Sequence, residues 1–186
     1  MRSAFLIFLF WCTGAMAAPP AWVSSDDVRV ARLSEGFRVE VDMTAPVPLA
    51  TAWQVLIDFN VMPRFIPNVE ASRIAETSGK KLRVEQSGVA RFGPFSQRFQ
   101  SMREITLDPQ REIIARQISG SARRMESVMR LIPGETATRL EYRAEIVPNF
   151  SLPPLLGPAF VRHEMAEQFS AMIEEMAKRN KAPGKP

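Results

Sequence analysis

From residue 37 to residue 43, FRVEVDM alternates apolar and polar side chains without a break, which reads as a strand with one buried face. Pro46 and Pro48 end it, and Leu49, Ala52, Trp53, Leu56 and Ile57 then recur at helical spacing. That spacing predicts a short amphipathic helix over residues 48–58, with Pro48 in its first turn. Six strand-like runs follow, at roughly residues 69–77, 81–91, 95–107, 111–119, 123–132 and 138–147. The pairs Ser78-Gly79, Gly93-Pro94, Asp108-Pro109 and Pro133-Gly134, and the single Gly120, separate them. Such short separators imply hairpins, hence an antiparallel meander. Met125, Ser127, Met129 and Leu131 share one face of their run, as do Leu140, Tyr142, Ala144 and Ile146 of the next. The opposite faces are charged, so pairs of opposite sign can lace across them.

Residues 148–158 contain four prolines and break the pattern. A helix is expected from Ala159 to about Lys178, with Val161, Met165, Phe169, Met172 and Met176 on its apolar face. Glu164, Glu167, Glu174 and Glu175 are placed on the polar face. An apolar stripe of that length needs a partner, and the sheet is the only large one. The order of elements predicts one α+β domain over residues 36–179, a loose lead-in over 18–35, and a disordered basic tail over 180–186.

The first 17 residues read differently. Arg2, the apolar run 4–11 and Ala15-Met16-Ala17 have the three parts of a secretory signal, cleaved near Ala17. The run falls far short of the ~20 residues that span a bilayer. The expected address is therefore periplasmic or secreted. Cys12, the one cysteine, lies within that signal and follows the bulky Trp11, so no lipid anchor, disulfide or thiolate site is expected of the mature chain.

The excess of basic residues changes little once located. Of 24 Lys and Arg, Arg2 is in the signal and Lys178, Arg179, Lys181 and Lys185 follow Met176, which leaves 19 against 20 acidic residues between. A neutral body gives no reason to expect nucleic acid. The tail allows a transient contact with an anionic membrane surface.

The stretch DFNVMPRFIPNV, residues 58–69, is too apolar for a linker, yet Pro63 and Pro67 deny it a continuous helix or a central strand. Its residues are either plain core or the cover of an internal space. Chemistry elsewhere is sparse. His163, the one histidine, is read as a solvated side chain beside the buried stripe, and no Gly-rich phosphate loop or metal-spaced cluster is found. Among residues 94–103, Gln97, Arg98 and Arg103 are interleaved with Phe95, Phe99 and Met102, and one of the three could turn inward to hold a ligand head. Eight methionines and nine phenylalanines lie beyond residue 17, an apolar set that suits either a plastic core or a permissive pocket.

The first-helix residues 47–53, the sequence Asp58-Phe59-Asn60 with residues 62–67 and Val69, and the terminal helix from Phe160 together resemble the START-like superfamily, also called SRPBCC or Bet v 1-like. Within it the similarity is greatest to the polyketide cyclase/dehydrase and coenzyme Q-binding branch. The resemblance implies a helix-grip fold: a curved antiparallel sheet of about seven strands around a long C-terminal helix, with two short helices after the first strand. It also implies a cavity between sheet and helix. Its walls would comprise Trp53, Phe59, Met62, Phe65, Ile66, Phe95, Phe99, Met125, Met129, Tyr142, Met165, Phe169 and Met172, with Phe65 on the rim. The expected function is non-enzymatic binding, with or without transport, of a hydrophobic or amphipathic small molecule such as a lipid, isoprenoid or quinone. No cofactor, metal or catalytic residue is expected. A cyclase or dehydratase using the same cavity, and an interaction module with a filled pocket, stay open.

Overall fold

A computed structural model describes residues 22–149 and 157–181. The expected signal, the last five residues of the tail and most of the proline-rich run 148–158 therefore lie outside the described residues. The strands are β1 (Val28–Arg32), β2 (Phe37–Ala45), β3 (Val69–Ser78), β4 (Lys81–Phe92), β5 (Phe95–Asp108), β6 (Glu112–Gly120), β7 (Ala122–Pro133) and β8 (Thr138–Pro148). The helices are a 3-10 turn (Ser25–Asp27) before β1, α1 (Leu49–Ile57), a second 3-10 helix (Phe59–Arg64) and the long α2 (Gly157–Lys181). All eight strands form one antiparallel sheet in the order β1-β2-β8-β7-β6-β5-β4-β3. The expected α+β helix-grip is thus the fold, with eight strands in place of about seven.

The additional strand is β1, which falls in the segment expected to be a loose lead-in. Only Val28 of its five residues is buried, so periodicity is too weak to announce it. Its order comes from pairing with β2, from Val28 opposite Val41 to Arg32 opposite Phe37. Gly36 makes the turn between them at φ 81°, and a Cβ there would lie 2.1 Å from the Ile146 carbonyl oxygen. Only glycine permits both that conformation and that approach. The segment also holds α2: the Ser170 hydroxyl donates to the Val23 carbonyl at 2.9 Å and accepts from the Val23 amide at 3.0 Å.

The meander from β3 to β8 is built from hairpins, and β2 closes on β8. Across that last pair the alternation is clean: Val39 and Val41 are fully buried, while Arg38 stands opposite Glu145 and binds it at 2.8 Å. Asp42 bridges Arg29 on β1 and Arg143 on β8 at 2.7 and 2.8 Å, which holds its carboxyl below the usual range. These exposed pairs set register and solubility more than stability.

Helix α2 lies on the inner face of the sheet, against α1, β1, β2 and β4. It runs through Asn180 and Lys181, which were expected in the tail. Two cations near its end reach acidic partners, Lys178 while staying exposed. Arg179 reaches Asp58 at 2.9 Å and Glu175 at 2.8 Å, and Lys178 lies 3.8 Å from Glu175.

Candidate functional site: an internal cavity

Toward its N-terminal half, α2 stands off the sheet and leaves a cavity of about 300 Å³. That is at the lower end of the roughly 300–1,000 Å³ typical of small-molecule sites. Its walls are the inward residues of β4 to β8, the row Phe160, Glu164, Gln168 and Met172 with Val161, Met165 and Phe169 on α2, and the 3-10 segment after α1.

That segment answers the question raised by residues 58–69. The Ile66 amide bonds to the Met62 carbonyl at 2.9 Å and the Val69 amide to the Ile66 carbonyl at 3.2 Å, so the chain coils tightly despite Pro63 and Pro67. The coil turns Phe59, Met62 and Ile66 onto the cavity. Phe65 is turned elsewhere: its ring lies 5.8 Å from the Arg179 guanidinium, in cation–π contact, and it does not line the cavity.

Of the expected wall residues, Phe59, Met62, Ile66, Phe99, Met125, Met129, Tyr142, Met165, Phe169 and Met172 line the space. Trp53, Phe65 and Phe95 do not. Trp53 is buried in the contact of α1 with the core, and Phe95 meets Phe160 edge-on at 5.2 Å, behind the wall. Periodicity identified the inward apolar face of β2, β7, β8 and, Glu164 apart, α2; only the tertiary arrangement distinguishes packed from open stretches of that face.

The polar residues of the wall were largely missed. Glu164, assigned to the solvated face of α2, is 4% exposed. One of its carboxylate oxygens accepts from the Asn68 side-chain amide and the other from the Arg91 backbone N–H at 2.9 Å. Burial pushes its pKa up, against the pull of those two donors. Its four-residue spacing from Phe160 and Gln168, in line with Met172, was the available signal. Asn68 is set by Gly88, where a Cβ would lie 1.9 Å from the Asn68 carbonyl oxygen; that oxygen instead accepts from the Val89 amide at 3.0 Å.

His163 is half-buried rather than solvated, its ring 5.2 Å from that of Phe92. Its imidazole and the carboxylates of Glu164 and Glu167 offer ligand atoms within 4.8 Å of one another, a juxtaposition not expected from spacing. Both Glu164 oxygens are already engaged by Asn68 and Arg91.

A second polar group lies further along the sheet. Of the three candidates on β5, Gln97 and Arg103 face the cavity, whereas Arg98 points outward toward Glu70 at 3.7 Å. Arg103 donates to the Gln86 side-chain oxygen, and Gln86 in turn donates to Ser72 at 3.0 Å. The Tyr142 hydroxyl bonds with Ser127 nearby, and burial raises its pKa. Burial pulls the Arg103 guanidinium below its usual value, against an opposing effect from Tyr142. Among the described residues, three buried side-chain polar atoms have no partner: Asn68 Oδ1, Arg103 Nε and Gln117 Oε1. All three residues line the cavity. Unpaired buried polar atoms are costly, and they gather where a bound molecule or water can reach them.

An eight-stranded sheet gripping a C-terminal helix, with a cavity of apolar wall and few polar groups, defines a START-like binding fold. The family described as polyketide cyclase / dehydrase and lipid transport matches residues 45–172, and the chain belongs to it. Among solved structures, the Zhui aromatase/cyclase from Streptomyces sp. R1128 is similar at TM-score 0.68 and 20% identity, over 80% of this chain and 98% of that one. A STAR-related lipid transfer protein from Xanthomonas axonopodis is similar at TM-score 0.63 and 13% identity, over 82% and 99%. A START superfamily protein from Mycobacterium smegmatis is similar at TM-score 0.60 and 12% identity, over 77% and 97%. No curated protein matches the chain.

Proposed function

We propose that the chain binds a hydrophobic or amphipathic small molecule, of the lipid, isoprenoid or quinone kind, in the cavity under α2, and carries it outside the cytoplasm. The observation that carries this reading is the cavity itself: a mostly apolar space held open inside a domain whose other core residues are closely packed. Methionines on three of its walls (Met62, Met125, Met172) suit ligands of varied shape. The signal-like residues 1–17 support the address.

Extraction of the purified protein with organic solvent, followed by mass spectrometry, should release an amphipathic compound in near-stoichiometric amount. No extractable compound and no saturable uptake of a fluorescent polyene lipid would overturn the reading. N-terminal sequencing of exported protein should begin at Ala18, and an intact Met1 would overturn the address.

A second reading is favoured by one observation: Arg103, Tyr142 and Ser127 put a cation and two hydroxyls on the cavity wall. A cyclase or dehydratase would use such groups to move protons on a folded chain. Steady turnover of a polyketone substrate, lost in Tyr142→Phe with folding intact, would establish it.

A further inference from the structure

Arg103 sits on the inner face of the sheet, between Ser101 and Ile105 on β5, opposite Val84 of β4 and Gln117 of β6. Among the described residues lining the cavity it is the one cationic side chain. Arg103 is half-buried and its exposed part faces the cavity. A guanidinium stays charged in proteins, so its partner must come from whatever fills that space, and an anion there offsets the cost of partial desolvation. Among the described residues no carboxylate lies within ion-pair distance of Arg103, and its Nε has no partner. The Gln86 side chain, a neutral acceptor, bonds to one terminal nitrogen only.

Glu164, the carboxylate on the same cavity wall, cannot supply the missing charge. It is held at the Arg91 amide, seven residues along β4 from Val84, the residue opposite Arg103. At about 3.3 Å per residue that is a displacement of roughly 20 Å along the strand. The cavity therefore has a cation near one group of polar residues and an engaged carboxylate near the other.

From this placement we infer that the ligand is a monoanionic amphiphile, a long-chain or isoprenoid carboxylic acid, whose carboxylate pairs with Arg103 while its tail lies along the apolar wall of Met125, Met129 and Phe169. The inference rests on the binding function proposed above and adds the chemistry of the head group. A planar fork of N–H donors matches a carboxylate, and a lone cation suits a single negative charge. A phosphate dianion would leave charge unbalanced in the same space. Ser101 and Gln117 beside Arg103 supply further polar contacts for the head.

The test compares cis-parinaric acid with its methyl ester and its alcohol, which share one fluorescent tail, on wild-type protein, Arg103→Met and Arg103→Lys. Wild type should bind the acid at least about tenfold more tightly than the ester at pH 7.5, ~1.4 kcal/mol. The preference should fade as the probe is protonated in mild acid. Arg103→Met should lose it while still binding the ester, and Arg103→Lys should keep part of it. Circular dichroism and thermal melting confirm that each variant is folded. The wild-type comparison needs no variant and stands even if Arg103→Met does not fold. Equal binding of acid and ester by wild type, or an acid preference intact in folded Arg103→Met, would overturn the head-group inference and leave the binding function standing. Failure of all three probes to bind would overturn the head-group inference, and the binding function would fall with it only if solvent extraction also released no compound.

Discussion

The two ends of the space between sheet and α2 are built from similar residues and end differently. At one end Val39, Val41, Val47, Val55, Ile173 and Met176 are fully buried against one another and α1. At the other, Met125, Met165 and Met172 line an open cavity with Arg103 and Glu164 among them. The closed end has α1 as a third layer, and the Arg179 links to Asp58, Glu175 and the Phe65 ring anchor the last turns of α2 there. The open end meets that layer only at its margin, through Leu56 of α1 and the 3-10 segment. Hollowness thus follows from how many layers meet at a position rather than from how apolar its residues are. A closed end holds the fold, so the other can stay hollow without loss of the domain's packing.

Ile173 and Met172 adjoin on α2, yet one is fully buried in the packed core and the other lines the cavity, so they test the contrast most sharply. Ile173→Ala should have the largest effect, a stability loss of ~2–5 kcal/mol in urea unfolding, because it opens a void in a packed site. Its affinity for a fluorescent fatty acid should be unchanged once the variant is folded. Met172→Ala should do the reverse, weakening that probe about tenfold, ~1.4 kcal/mol, with a stability loss well under that of Ile173→Ala. If the two variants behave alike in both measurements, the division into closed and open ends is wrong.

Arg179→Met should cost roughly 1 kcal/mol, since it removes two partly exposed ion pairs and a cation–π contact but keeps the apolar stem. Hydrogen exchange should rise in the last turns of α2 and in the 3-10 helix together. Exchange confined to the helix end would show that Arg179 does not couple them.

The smallest expected effect is a pH slope. Glu164 is buried at the cavity wall, facing Asn68, the Arg91 amide, His163 and Glu167, and its pKa is raised by burial. A carboxyl whose folded pKa exceeds its unfolded one keeps its proton longer in the folded state. Its contribution is therefore greatest in acid, and stability falls as pH climbs from ~4.3, the ordinary glutamate value, toward the raised one. Asp42, lowered by its arginines, works in the opposite sense below the ordinary carboxylate range. Subtracting the Glu164→Gln profile from that of wild type isolates the Glu164 slope, and a difference that is flat with pH would contradict its burial.

Much of the fold was legible because the β2, β7 and β8 patterns and the α2 stripe are strongly periodic and their turns carry Gly and Pro. β1 was not legible, since its order is borrowed from β2 and from Ser170. Glu164 was misplaced because a glutamate is assigned to solvent by default, and only Asn68 and the Arg91 amide, both distant in sequence, make its burial tolerable. Phe65 was assigned to the rim because it is aromatic and lies between two prolines. The turn of the 3-10 coil, and a cation brought from the far end of the chain, direct its ring elsewhere.

Alternation and helical spacing in this chain determine which face of each element turns inward, because burial of one face is a local property of strand and helix periods. They also determine that sheet and terminal helix must pack together. Whether that inward face is packed or hollow was decided only by the tertiary structure, because it depends on whether α1 or a gap lies across from it. The partners of Arg103 and Glu164 were decided there too. Desolvation and pairing are properties of the assembled cavity, and no spacing along a single element contains them.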